Sequence, residues 1–282
     1  MRATLLALAV ILGAAAPAKA RAGETRCWYE NGAVVVAAAA GDIAGDFILD
    51  LSAPRSLLHE TRAQDAGIDA PQVTLKLRLA GERLGDIDFQ VADLDARSDG
   101  FPTNIVGVIG ADALAARVID VDFAPCHVEV WPGRAPRLAA ALRAPLRWVG
   151  GVPTVAALIA DGASARPGRF ALDTASAGVR ISATEARLSR SPPNGVDPAS
   201  RNRPPARLRA LSFAGLLVQN LPASLDPDIP DGVGGGIGDA VWSRYRLRID
   251  LGHGWLALRA RTLPPEGGVA ARTSSGTTRG VR

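Results

Sequence analysis

The central part of this chain is written twice. Gly45-Asp46-Phe47-Ile48-Leu49-Asp50 and Gly168-Arg169-Phe170-Ala171-Leu172-Asp173 agree at Gly, Phe, Leu and Asp, with an offset of 123 residues. Farther on, Gly107-Val108-Ile109-Gly110 runs on to Val121-Asp122-Phe123. Its counterpart is Gly235-Gly236-Ile237-Gly238, running on to Ile249-Asp250-Leu251 with an offset of 128 residues. Two landmarks in the same order and at nearly equal spacing make a duplicated half the economical explanation, and such a repeat bounds the architecture before any local reading.

Each half reads alike. Ala33 to Ala40 is a small and β-branched strand, the Gly-Asp-rich stretch from Gly41 to Asp46 is turn material, and Phe47 to Asp50 is a second strand. In the second half Thr154 to Ala160 is the strand, Asp161 to Gly168 the loop, and Phe170 to Asp173 the return. Both aspartates thus end the return strand of a hairpin. Short helices are expected at 55–66 and 182–188, then alternating apolar runs (Val73, Leu75, Leu77, Leu79; Leu208, Leu211, Phe213), a short helix after each Gly-apolar-Gly element, and a closing strand.

Composition supports a turn-rich β protein, since Gly (30) and Pro (20) are plentiful while helix-favouring Glu and Lys are scarce. Residues 1–20 carry Arg2, an apolar run from Leu5 to Ala16 and an Ala18-Lys19-Ala20 cleavage pattern, the grammar of a secretory signal peptide. The run is too short to favour a membrane span, so an exported chain, periplasmic or secreted, without stable membrane insertion is expected. Removing that segment lowers the formal charge from +4 to about +2, and the 264–282 tail, rich in Gly, Ser, Thr and Arg, accounts for the remainder. Nucleic acid is therefore not an expected partner, and the tail reads as disordered. The domain plan is a first lobe at 21–135, a Pro-interrupted connection at 136–147 and a second lobe at 148–263. A Pro-rich insertion, Ser191 to Pro205, has no equal in the first half. Cys27 and Cys126 form an even pair in an exported chain, so a disulfide is the default reading.

The motif Phe47-Ile48-Leu49-Asp50-Leu51-Ser52-Ala53 and its partner Phe170-Ala171-Leu172-Asp173-Thr174-Ala175-Ser176 resemble the apolar-apolar-Asp-Thr/Ser-Gly-Ala/Ser motif of pepsin-like and retropepsin-like aspartic peptidases. Val108-Ile109-Gly110 and Gly236-Ile237-Gly238 look like the segment that threads behind the aspartate loop in that family, and the following helix and strand resemble those of bacterial exported members. The resemblance implies an all-β fold with a few short helices. Two homologous acid-protease β-barrel lobes would flank a central cleft, with Asp50 and Asp173 as the catalytic dyad and Leu51, Ser52, Ala53, Thr174, Ala175 and Ser176 as its supporting loops. Ile109, Gly110, Ile237 and Gly238 would lie behind the dyad. It implies peptide or unfolded protein as substrate, and no cofactor or metal. Two carboxyl groups held close together cannot both ionise, so such a pair shares one proton and can work as base and acid at once.

The motif departs from its pattern at three positions. Thr174 keeps the hydroxyl that follows the aspartate, but Leu51 does not, and Ser52 and Ala175 stand where the family has glycine. Losing one hydroxyl costs only about 0.5–1.5 kcal/mol. If the loop needs positive φ, each added Cβ costs on the order of 1–2 kcal/mol. No Gly-rich flap hairpin stands out between His59 and Val73.

Other chemistries find less support. Ala175-Ser176-Ala177-Gly178 lacks the leading glycine of a serine nucleophile elbow, and His59, His127 and His253 are too scattered for a zinc set. The glycines from Gly232 to Gly238 meet neither a dinucleotide nor a P-loop spacing. Two functions stay open: an aspartic endopeptidase, and a peptidase-derived module that binds peptide without cutting it.

Overall fold

The computed structural model describes residues 22–139, 141–160, 165–188 and 206–261. The segment 1–20 read above as a signal peptide, the 264–282 tail and the 191–205 insertion lie outside these residues. The first half contains β1 (Gly23–Glu30), β2 (Ala33–Ala40), β3 (Ile43–Leu49), β4 (Leu57–His59), α1 (Glu60–Asp65), β5 (Gln72–Leu79) and β6 (Glu82–Ala92). It continues with α2 (Asp95–Ser98), β7 (Ile105–Ile109), α3 (Ala111–Leu114), β8 (Val118–Phe123) and β9 (Cys126–Trp131). The second half contains β10 (Leu142–Pro145), β11 (Arg147–Val149), β12 (Val152–Ala160), β13 (Ala165–Leu172), β14 (Val179–Ser182), α4 (Ala183–Leu188) and β15 (Ala206–Phe213). It closes with β16 (Leu216–Asp226), β17 (Gly235–Ile237), α5 (Asp239–Trp242), β18 (Tyr245–Asp250) and β19 (Trp255–Ala260).

The duplication is complete at the level of hydrogen bonding. Strands β2-β3-β7-β4-β6-β5 follow one another, and β5 closes back on β2. Strands β12-β13-β17-β14-β16-β15 repeat that order, with β15 closing on β12. Each lobe is thus a closed six-stranded barrel, which leaves no barrel edge unpaired. Outside the barrels, β1-β9-β8 and β10-β19-β18 join into one sheet, with β8 and β18 antiparallel at its centre (Val121 opposite Leu247, Ile119 opposite Ile249). Arg248 and Arg246 of β18 meet the buried Asp120 of β8, at 2.6 Å for Arg248 Nε, so the lobe junction carries ion pairs as well as ladder bonds. The segment 136–147 therefore does more than connect the lobes, because β10 within it pairs with β19. In half one a single strand, β1, pairs with both β9 and β2; in half two β10 and β11 divide that work between β19 and β12.

Matched residues fill matched places. Phe47 and Phe170, and Leu49 and Leu172, are buried in a core that runs through both lobes, and fully burying one such side chain stabilises by about 1.5–3 kcal/mol. Several local expectations are corrected. At 55–66 only Glu60–Asp65 is helical, because Leu57 and Leu58 are drawn into ladders with β6 and β7. Likewise Val179–Ser182 is a strand and the helix begins at Ala183. The expected loop before the second aspartate is already strand from Ala165, with Pro167 opposite Leu158. Cys27 and Cys126 are disulfide-bonded, with Cα atoms 4.9 Å apart and a sequence separation of 99, tying β1 to the start of β9 at the two ends of lobe one.

Candidate active site

Asp50 and Asp173 stand at equivalent points, each just past its return strand, β3 or β13. Each donates its backbone N–H at 3.0 Å to the carbonyl behind it, Ile109 for Asp50 and Ile237 for Asp173. The glycines that follow, Gly110 and Gly238, are demanded by close approach. A Cβ at Gly110 would stand 2.6 Å from the Arg55 carbonyl oxygen, and one at Gly238 would stand 1.9 Å from that of Gly178. The expected threading of Ile109-Gly110 and Ile237-Gly238 behind the aspartate loops is thus what brings the two loops to the lobe interface.

There the loops hold each other through one threonine. Thr174 Oγ1 donates to the Leu49 carbonyl at 2.6 Å and accepts from the Leu51 N–H at 3.2 Å, while Val34 N–H donates to the Thr174 carbonyl at 3.0 Å. Leu51 is fully buried and returns no hydroxyl. Ser52 compensates by a route the motif did not reveal. Its Oγ donates to Asp50 Oδ1 at 2.6 Å and accepts from Arg180 Nη2 of the other lobe at 2.6 Å. Neither Ser52 nor Ala175 adopts a positive φ, so the backbone cost foreseen for a left-handed loop does not arise.

The four carboxylate oxygens are used unequally. Asp50 Oδ1 accepts from Ser52 N, Ser52 Oγ and Ala53 N, at 2.8, 2.6 and 3.1 Å, and Oδ2 accepts from Arg97 Nη2. Asp173 Oδ1 accepts from Ala175 N at 3.0 Å, and Oδ2 accepts from Ser176 Oγ at 2.6 Å and Arg180 Nε at 2.5 Å. Arg180 spends its remaining reach on Asp226 and Ser52. One guanidinium therefore contacts Asp173 directly and Asp50 through a single hydroxyl.

Charge separates the two acids. Burial opposes ionisation of Asp50, but the Arg97 charge, the hydrogen bonds from Ser52 and Arg97, and the Arg180 charge together outweigh it and hold its pKa below the ordinary carboxylate value. For Asp173 burial and the negative charge of Asp50 prevail over Arg180, Ser176 and Ala175, so its pKa is raised. A third carboxyl lies behind them. Asp239, first residue of α5, is fully buried, and neither of its oxygens has a hydrogen-bond partner among the described residues. Burial first, then the charges of Asp173 and Asp50, push its pKa well above the usual range.

The aspartates open into a cleft of about 480 Å³ whose walls differ in sign. Arg55, Arg97 and Gln90 come from lobe one, and Arg180, Asp226 and Asp228 from lobe two. A larger hollow of about 590 Å³ around Lys76, Arg78 and Asp86 has neither aspartate in its wall. The β5–β6 hairpin is the long hairpin of lobe one, but only Gln90 near its far end reaches the cleft. Its turn at Ala80-Gly81 is not in the cleft wall, and the lobe-one segment that reaches over Asp50 is α2.

Arg97, Arg180, Gln90, Asp226, Asp228 and Asp239 were not among the residues singled out from the sequence. Arg180 had a readable signal. Within the repeat it occupies the place of Leu57, and Gly236, which pairs with it, occupies the place of Val108. A Cβ at Gly236 would lie 2.9 Å from Asp173 Oδ2 and 3.4 Å from Arg180 Nη2, so the Val-to-Gly difference makes room for the Leu-to-Arg one. Arg97 offers no such signal, since α2 has no helical counterpart in the second half.

Comparison with solved structures places the fold. The chain is similar to the crystal structure of the aspartic proteinase from Irpex lacteus, with a TM-score of 0.56 and 13% sequence identity over 86% of this chain and 98% of that one. No protein-family model matches the sequence, and no curated protein matches it. At that identity the likeness is one of fold: mostly β, with two closed six-stranded barrels arranged as in a two-lobed acid protease.

Proposed function

We propose that the chain is an aspartic-type endopeptidase, exported to the periplasm or beyond, that hydrolyses extended peptide or unfolded protein without a cofactor. The observation that carries the reading is that each half delivers one carboxylate to a common cleft, in surroundings that favour opposite protonation states. Ionised Asp50 would take a proton from a water molecule as its oxygen attacks the peptide carbonyl carbon, while protonated Asp173 gives its proton to the carbonyl oxygen. The diol so formed then collapses. One of its hydroxyls returns a proton to Asp173, the C–N bond breaks, and the proton on Asp50 passes to the departing nitrogen, restoring both groups. Positioned proton transfer of this kind contributes about 10²–10⁴-fold. Export is supported by the leader-like first 20 residues and by a disulfide of the kind that persists in oxidising compartments.

A second reading has its own support. Arg97 and Arg180 each occupy a dyad oxygen, and a carboxylate paired to a guanidinium is a weaker base. A chain that kept the cleft and lost the chemistry would hold peptide without cutting it. The test is incubation of purified mature protein with an unfolded protein from acid to neutral pH, beside Asp50→Asn and Asp173→Asn. Cleavage by the wild type that both substitutions abolish is the expected result. Peptide binding without cleavage by the wild type would establish the second reading.

A further inference from the structure

Resting on the peptidase reading, we infer that Arg97 is the specificity-determining residue of the cleft: it recognises a carboxylate on the substrate, an acidic side chain flanking the scissile bond, and in turning to it releases Asp50 for work on water. The two cleft arginines are held very differently. Arg180 is committed, with Nε on Asp173, Nη1 on Asp226 and Nη2 on Ser52, and its side chain is 25% exposed. Among the described residues Arg97 makes a single side-chain hydrogen bond, Nη2 to Asp50 Oδ2, and its side chain is 37% exposed. A guanidinium carries five N–H donors in a planar fork that suits a carboxylate held by two bonds. Against Asp50 Arg97 uses one of them, so its remaining donors face the cleft unspent.

The surroundings say which chemistry that fork would meet. Arg55, exposed on the same wall, has no ion pair among the described residues, and neutral Gln90 stands beside it. The lobe-one wall thus holds two arginines against Asp50 alone. The opposite wall sets Arg180 against Asp173, Asp226 and Asp228. A substrate carboxylate is favoured toward lobe one and disfavoured toward lobe two. The exchange also leaves Asp50 accessible: its Oδ1 keeps the donors Ser52 N, Ser52 Oγ and Ala53 N, while Oδ2, covered in the free protein by Arg97, becomes open to water. The base of the Arg97 segment is firm, with Leu94 buried and Asp95 bonded to His59 Nε2 at 3.1 Å, so the exchange needs a rotamer change and no movement of the lobe.

The experiment compares matched peptides that differ only by Glu or Gln at the positions flanking the cleaved bond, with wild type, Arg97→Ala and Arg97→Lys. Wild type should cleave the Glu peptides with kcat/KM roughly 10- to 100-fold above the Gln peptides, the range for charged hydrogen bonds. Arg97→Ala should lose that preference, falling much further on the Glu peptides than on the Gln peptides, and its acidic limb should move to higher pH because a charge that favours ionised Asp50 is gone. Arg97→Lys, which keeps the charge without the fork, should fall between. A Glu preference that survives in Arg97→Ala, or an equal loss on both peptides, overturns the inference. Peptide binding in the Asp173→Asn background separates it from the peptidase reading. If no variant cleaves but wild-type-like binding favours Glu and Arg97→Ala removes that bias, the catalytic reading fails and recognition by Arg97 stands. If binding shows no Glu bias, recognition by Arg97 fails whatever the chemistry.

Discussion

Replacing Arg180 by Leu, the residue that lobe one carries at the same place, tests whether this guanidinium sets both the stability and the proton affinity of the site. The change removes contacts to Asp173, Asp226 and Ser52 at once. Asp173 and Asp226 are 1% and 15% exposed as side chains, so the loss is that of a largely buried pair, about 3–5 kcal/mol when one partner is deleted. At about 2–4 °C per kcal/mol for a chain of this size, the melting temperature at pH 8 should fall by on the order of 6–20 °C. The pH dependence follows from the sign of the Asp173 shift. Its folded-state pKa is already raised, and losing Arg180 raises it further. A carboxyl that holds its proton more tightly when folded favours folding in acid. It penalises folding increasingly as pH climbs from the unfolded value of about 3.9 toward the folded one. The gap between wild type and Arg180→Leu should therefore be smallest near pH 4 and widen toward pH 8.

Thermal unfolding followed by circular dichroism at several pH values reads that gap directly, and the pH profile of peptide cleavage reads the other half. Losing Arg180 raises the proton affinity of Asp50 as well as Asp173, so both limbs of a bell-shaped profile should move upward together. Arg180→Lys, which keeps a charge near Asp173 but cannot reach three acceptors in one plane, should restore most of the pH dependence and only part of the stability. A melting gap that is the same at pH 4 and pH 8, or that widens toward acid, would refute the assignment of Arg180 as the counter-charge of Asp173.

Thr174→Val, nearly isosteric, leaves the Leu51 N–H without its acceptor and should destabilise by about 1–3 kcal/mol in denaturant titration, with a larger loss in kcat than in peptide affinity because the two loops lose alignment. Asp239→Asn removes a buried acid whose pKa is raised by burial and by its acidic neighbours. The wild type is penalised progressively as pH rises above about 3.9, so the variant should melt higher than wild type at pH 7 and show little advantage near pH 4. Replacing Cys27 and Cys126 together by Ala opens a loop of about 100 residues and should cost about 2–5 kcal/mol, read as a lower denaturation midpoint.

The parts of the molecule that were legible in the sequence are those where both halves face the same local constraint. Gly110 and Gly238 recur because an aspartate loop presses on each, Phe47 and Phe170 because each fills the centre of a barrel, and Asp50 and Asp173 because each ends the same hairpin. Strand boundaries were less legible. The pair Leu57-Leu58 reads as part of a helix until its parallel ladder with distant β6 is known, and Ser182, read as the start of the second helix, is instead the last residue of a strand paired with distant β16. Arg97 was not legible at all, being carried to Asp50 across 47 residues by a four-residue helix with no twin. The proposed chemistry, however, depends on the mismatches. A duplicated chain delivers two like carboxylates, whereas acid–base work on one substrate requires unlike ones, so the symmetry has to be broken by the residues around them. Here the breaks are Leu57 against Arg180, Val108 against Gly236, Ser52 against Ala175, and Ala111 against Asp239, all at matched positions around the two aspartates. Ser52 and the two arginines favour the charged form of Asp50, while burial and the charge of Asp50 favour the protonated form of Asp173. In a duplicated chain the matches locate the site, and the differences between the halves assign its roles.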